Sequence, residues 1–337
     1  MKIIIDAMGG DNAPEEIVKG AVQAHRTLGY EIILVGREAD VRRCLTAEGT
    51  ESLPGIEIHN AGDVIDMNDD PTLAIRRKKD SSMVVALNLL KDGGGDAVVS
   101  AGSTGALLTG ATLIVRRIKG VRRAALAPAL PNLGAGALLI DCGANAECTP
   151  EQLLQFAYMG DLYARRMLKI ERPRVALLNN GTEEHKGASL QQEAYQLLKQ
   201  ADLQFVGNVE ASTVLFGDVD VIVTDGFSGN ILLKSIEGTA KFLLKNIKTV
   251  LTTGLKNKIA ALMVKNDIGA LKKMMDPNEI GGTALLGISK PVIKAHGSSE
   301  ASAIVNAVRQ AAEFAESGFI QTITENIDHM RVDGAEE

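Results

Sequence analysis

Residues 2–21 read KIIIDAMGGDNAPEEIVKGA, and they set the fold. Three consecutive isoleucines, Ile3 to Ile5, form a short β-branched run with no polar alternation. That is the pattern of a strand covered on both faces. The run stops at Asp6, crosses Gly9, Gly10 and Asp11, and meets Pro14, Glu15 and Glu16. Asp11 or Asn12 can cap a helix there, proline suits a first turn, and the two acids favour the positive end of the helix dipole. Gly29 is placed to stop that helix. The stretch therefore predicts a strand, a glycine-bearing loop and a helix over 14–28.

The same unit recurs. Apolar runs at 31–36, 56–61, 96–102, 136–143, 174–181, 203–208 and 219–226 predict further strands. Helical periodicity fills 40–48, 71–90, 104–117, 150–168, 187–200 and 228–250. Strands alternating with helices imply a three-layer α/β/α fold around a mostly parallel sheet. The chain reads as one compact unit, 1–337, of two intimate lobes. The segment 234–276 is long, helical and rich in Lys, Leu and Met, and reads as a protruding helical hairpin.

Composition bounds the function. The 337 residues are 45% hydrophobic and 3% aromatic with no Trp, so the core must be aliphatic. A net charge of −6 argues against general nucleic-acid binding. Three scattered cysteines, Cys44, Cys142 and Cys148, form no disulfide framework and fit a reducing cytosol. The acids close behind the first apolar run argue against a signal peptide. No apolar run approaches the ~18 residues of a membrane span. Five isolated histidines without HExxH give no metal site. A P-loop, a GxGxxG fingerprint and a GxSxG elbow are absent.

In a parallel sheet ligands bind at the carboxyl ends of the strands, and five such ends carry small polar loops. The first brings Asp6, Gly9, Gly10 and Asp11. SAGSTGA (100–106) brings Ser100, Gly102, Ser103, Thr104 and Gly105, which fit either an anion site at a helix N-terminus or an ordinary capped helix. DCGANAE (141–147) brings Asp141 and Asn145. NNGTEEHKG (179–187) brings Asn179, Gly181 and Lys186, the last suited to holding phosphate. TDGFSGN (224–230) brings Asp225, Gly226 and Asn230, with Lys234 a turn further on the same face. Asp225 also suits a helix cap. Downstream, LLGISKPVIKAHGSSEASA (285–303) sets His296 and Ser298 before a helix.

Together, IIIDAMGGDNAPEEIVKGA, SAGSTGALL, DCGAN, NNGTEEHKG, VTDGFSGNILLKSIEG and the HGSS segment closely resemble the PlsX family of bacterial acyl-acyl-carrier-protein:phosphate acyltransferases. The resemblance runs from Met1 to about residue 330. It implies transfer of a long-chain acyl group from acyl carrier protein to inorganic phosphate, giving acyl phosphate for phospholipid synthesis. It also implies a fold like the isocitrate/isopropylmalate dehydrogenases and phosphotransacetylases, a homodimer, and no nicotinamide or other cofactor. Glycine loops would position phosphate and stabilise the oxyanion. Gly9 and Gly10 would let backbone approach phosphate or thioester while Asp6 and Asp11 hold the loop. Lys186, His296, Asn230, Lys234 and Asp225 are the candidate catalytic residues. Direct attack by phosphate is favoured over an acyl-enzyme, since no activated nucleophile stands out.

An acidic carrier protein calls for a basic face, for which 76–79, 116–123 and the lysines of 241–273 are candidates. Leu255, Ile259, Leu262 and Met263 share one helical face with lysines around it. That face suits an anionic bilayer, a dimer contact or core packing. Localisation is expected to be cytoplasmic, peripheral to the membrane, with the downstream glycerol-3-phosphate acyltransferase a candidate partner. Two rival functions are a phosphotransacetylase-like enzyme using acyl-CoA and a noncatalytic carrier-protein docking protein.

Overall fold

The computed structural model describes residues 1–50, 53–134, 136–274 and 281–330. The opening stretch folds as expected: strand β1 (Lys2–Asp6) with Ile3, Ile4 and Ile5 fully buried, then helix α1 (Glu15–Leu28). Gly29 closes α1 in a left-handed turn, φ 75°, its N–H bonded to His25 O at 2.9 Å. Neither expected cap is used. Pro14 occupies the cap position, and the Asn12 side chain instead donates to the carbonyls of Ser298 and Ser299, both at 3.2 Å.

The units continue as β2 (Glu31–Gly36), α2 (Glu38–Ala47), β3 (Ile56–Asn60), α3 (Pro71–Arg77), α4 (Ser82–Lys91), β4 (Ala97–Ser100) and α5 (Thr104–Gly110). The helix expected over 71–90 is two helices. Between them Lys78 Nζ turns back to Val64 O at 2.8 Å and Asp69 at 2.7 Å, and Asp80 accepts from Gly62 N at 2.9 Å. These long-range bonds outweigh helical continuity. The helix expected over 104–117 likewise loosens into a π turn at Ala111–Val115.

Next come β5 (Ala125–Ala127), β6 (Ala129–Leu130), β7 (Ala137–Ile140), α6 (Pro150–Arg166), β8 (Val175–Asn179), α7 (Ser189–Gln200), β9 (Phe205–Glu210) and β10 (Val221–Val223). Thr149 and Gln152 form a capping box on α6. The chain ends with α8 (Gly226–Thr252), α9 (Gly254–Met263), α10 (Lys265–Met274), β11 (Thr283–Leu286), β12 (Val292–Lys294), α11 (Ala301–Glu316) and α12 (Phe319–Glu325).

The expectation of a single sheet is corrected. There are two, ordered β3-β2-β1-β4-β12-β11-β5 and β6-β7-β10-β8-β9, mostly parallel. The antiparallel pairs are β11 with β12 and β5, and β6 with β7. β5 and β6, two short strands separated by Pro128, pass the chain from one sheet to the other. Proline has no N–H for a ladder, so it breaks the strand where the sheets part. In the first sheet Asp6, Ser100 and Lys294 stand in register at the carboxyl ends of three adjacent parallel strands.

α8 is capped by Asp225 and buries Gly226, Gly229, Leu232 and Ala240. Beyond Ala240 it leaves the body, and α9 and α10 bury nothing. The segment 234–276, expected to be a protruding helical hairpin, runs through α8, α9 and α10, and its residues 275 and 276 lie outside the described residues.

Candidate active site

The two sheets meet at a cavity of about 360 Å³, a size typical of small-molecule sites. From the first sheet come Thr104, at the start of α5, Lys294 at the end of β12, and His296 and Ser299 after it. From the second come Cys142 and Gly143 after β7, and Asn230, Lys234 and Glu237 of α8. One wall is apolar: Leu126, Pro128, Leu130, Leu233, Ile236 and Ala240. The lining thus combines two lysines, Lys234 and Lys294, with a set of aliphatic side chains.

Four expected residues line this cavity: Thr104, Asn230, Lys234 and His296. Lys234 is paired with Glu237 at 2.9 Å. His296 Nδ1 lies 2.9 Å from Ser298 Oγ. Partial burial pushes the His296 imidazole below its usual range, and the Lys234 cation adds to that effect.

Most other expected residues build the site's frame and do not line it. Asp6 is buried and accepts from Ser100 Oγ at 2.7 Å and Met8 N at 3.3 Å, while Gly102 N donates to Ser100 Oγ at 3.1 Å. Burial raises the Asp6 carboxyl against the lowering effect of bonds from Ser82 and Ser100. Gly9 and Gly10 face protein, not an open site. A Cβ on Gly9 would come 2.7 Å from Gly102 N, and one on Gly10, where φ is +109°, 3.0 Å from Gly297 O. Asp11 N also donates to Gly297 O at 2.8 Å. The DAMGGD loop is therefore a bracket that packs the 100–106 loop against the HGSS loop. Gly105 sits under Pro71, and Ser103 caps α5 by accepting from Ala106 N at 3.4 Å.

In the second sheet Asp141 is fully buried and accepts from Leu126 N at 2.8 Å, Cys142 N at 2.7 Å and Asn145 N at 2.6 Å. Asn145 in turn donates to Ala124 O at 2.8 Å and accepts at its own carbonyl from Gly226 N at 2.7 Å. Asp225 spends both oxygens on Ser228, 2.8 Å to the N–H and 2.9 Å to the hydroxyl, in the capping role the sequence also allowed, and is not among the cavity's lining residues. Lys186 is not brought to the cavity. Its loop closes on itself, with Asn179 Nδ2 donating to Lys186 O at 3.1 Å, Lys186 Nζ 3.9 Å from Glu183, and Gly181 packed under the lysine stem.

Among the lining residues that sequence reasoning did not single out, Lys294 and Ser299 matter most. Lys294 is 8% exposed, and burial pulls its ammonium down to about 8 against the opposing pull of Asp6 and Asp11. Ser299 is 1% exposed and its Oγ has no hydrogen-bond partner among the described residues. A signal for Lys294 existed: a single lysine inside the apolar run PVIKA. Cys142 is unsuited to attack, since burial pushes its thiol up to about 12.

A family profile described as "Fatty acid synthesis protein" matches residues 1–322. The chain belongs to this family. It is 47% identical to a phosphate acyltransferase of Listeria monocytogenes over 339 residues, covering 100% of this chain and 99% of the relative. The phosphate acyltransferase of Oceanobacillus iheyensis is also 47% identical, covering 98% of each chain. The resemblance to the PlsX family is borne out, and the chain is a transferase of that family. Among solved structures, a phosphotransacetylase from Streptococcus pyogenes superposes with a TM-score of 0.63 at 20% identity, covering 94% of both chains. A branched-chain phosphotransacylase from Enterococcus faecalis gives 0.53 at 16%, covering 93% of this chain and 98% of that one. At these identities the likeness fixes the α/β fold alone.

Proposed function

We propose that the chain moves a long-chain fatty acyl group from the thioester of acyl carrier protein to inorganic phosphate, releasing acyl phosphate and the carrier thiol for phospholipid synthesis. The observation that carries this reading is the cavity's two-part lining. Lys234, Lys294 and the unpartnered Ser299 hydroxyl suit a phosphate oxygen, and the Leu126–Leu233–Ile236 wall suits an acyl chain. Phosphate is anionic at neutral pH and needs positioning more than activation. Asn230 and Thr104 are donors for the oxyanion that forms at the thioester carbon. With Cys142 held as a thiol, phosphate attacks the thioester directly and no acyl-enzyme forms.

The chain acts as a homodimer at the surface of an anionic membrane. Leu255, Ile259, Leu262 and Met263 are each more than half exposed, among lysines, which supports contact with lipid. None of the helices among the described residues is long and apolar enough to cross a membrane. Basic segments such as 116–123 give the acidic carrier a docking face, and the labile product favours delivery to an adjacent glycerol-3-phosphate acyltransferase. The test is thiol release from acyl carrier protein and from the matching coenzyme A ester, with and without phosphate. Phosphate-dependent release from the carrier is expected. Release from the coenzyme alone points to the phosphotransacetylase reading, and no phosphate dependence refutes acyl transfer.

A further inference from the structure

Lys294 occupies an unusual place. It ends β12 in register with Ser100, whose hydroxyl bonds Asp6, so a buried row of Asp6, Ser100 and Lys294 runs across three strands. Its Nζ donates to the carbonyls of Ala101, at 3.4 Å, and Ala295. Among the described residues no carboxylate forms a salt bridge with it. An ammonium has three N–H bonds, and Lys294 lines the cavity, so a third donor is left for whatever enters. Keeping a buried lysine without an ion-pair partner costs stability, and such groups concentrate where chemistry needs them.

We infer that Lys294 is the proton donor to the departing thiolate. This rests on the acyl-transfer reading of the same cavity. As a phosphate oxygen bonds to the thioester carbon, the carbon–sulfur bond breaks and its electron pair goes to sulfur. Sulfur takes a proton from Lys294 Nζ. The amine recovers one from the hydroxyl of the attacking hydrogen phosphate, so charge and protons balance with no external acid. His296, neutral over most of the working range because its imidazole is lowered, is a weaker source of that proton.

The acidity fits the task. At about 8 the Lys294 ammonium matches an alkyl thiol of roughly 8.5, whereas an ordinary lysine near 10.4 would be too weak an acid. The charged groups around it are Asp6 at the end of β1, Asp11 in the following loop, Lys234 on α8 and His296 after β12. The two acids keep it protonated at neutral pH, and the Lys234 cation opposes them. Raising the pH through about 8 discharges Lys294, so kcat falls on that limb.

The test compares Lys294→Met and Lys294→Gln with the wild type on acyl carrier protein and on an aryl thioester of the same fatty acid, whose acidic thiol leaves without a proton. Expected are a loss in kcat at saturating phosphate of roughly 10²-fold or more, disappearance of the limb near pH 8, and a deficit at least roughly tenfold smaller on the aryl ester. Thermal melts confirm that each variant is folded, and one folded variant suffices. Equal deficits on both esters, with the loss in phosphate KM, make Lys294 a phosphate ligand only and overturn the proposal. So does an unchanged kcat. A wild type without phosphate-dependent thiol release sinks the acyl-transfer reading itself, a different outcome.

Discussion

Alanine in place of Gly229 or Gly238 should move stability in opposite directions, although both glycines lie in α8. In an unobstructed helix interior, alanine gains roughly 0.8–1 kcal/mol over glycine. Gly238 has nothing within 4 Å of where a Cβ would stand, so Gly238→Ala should raise stability by about that amount. Gly229 presses on the end of β7. A Cβ there would overlap the Asp141 carbonyl oxygen and lie 2.9 Å from Thr224 Cγ2 and 3.2 Å from the Asp141 carbonyl carbon. Overpacking of this kind costs about 1–3 kcal/mol or more. The rigid neighbour is backbone, and Asp141 also anchors Leu126, Cys142 and Asn145, so relief by local movement is limited. At the upper end of that range, fitting for a clash with backbone, subtracting the helical gain leaves a net loss of about 2 kcal/mol, or roughly 3 °C in Tm for a chain of 337 residues. Calorimetric melts of the three proteins at one concentration read both signs. A Gly229→Ala protein as stable as the wild type would refute the close-approach reasoning, as would a destabilised Gly238→Ala.

Three further outcomes are expected. The His296 ring should titrate below 6.5, followed by NMR, and Lys234→Met should raise its midpoint because a repelling cation is removed; an unmoved midpoint contradicts the placement of Lys234. Asp220→Asn should cost about 2 kcal/mol at pH 7, since Arg174 donates to that carboxylate from Nε at 2.9 Å, Nη2 at 2.8 Å and its backbone N–H at 2.8 Å. Burial raises the Asp220 carboxyl but these bonds prevail and hold it low. Its contribution is therefore present above the unfolded value near 3.9 and lost as pH falls through the lower folded value, so the difference in melts must shrink in acid. The double change Leu255→Glu, Ile259→Glu should weaken binding to anionic vesicles more than about tenfold, and unchanged binding removes the membrane contact.

Much of the fold was legible because burial on both faces writes itself as unbroken Val, Ile and Leu runs, as in β1, β2 and β4. β5 and β6 were not, being two or three residues of alanine and leucine around Pro128. Their pairing is decided by partners distant in sequence, and so is the division into two sheets. The site was half legible. Asn230, Lys234, His296 and Thr104, all singled out in the sequence, line one cavity. The glycines of the loops mark places where two backbones nearly touch, as Gly9 does with Gly102 and Gly226 with Asn145. A glycine that admits a ligand and one that admits a neighbouring loop look alike in sequence. Lys294 escaped notice for the opposite reason: lysine is usually a surface residue, and only the register of β12 shows that it is buried.

The most direct test is a crystal structure determined with phosphate bound. Density is expected in the cavity between the sheets, within hydrogen-bond reach of Lys294 Nζ and the Ser299 hydroxyl. Phosphate held instead by the 179–187 loop around Lys186, with the cavity between the sheets left to solvent, would contradict it.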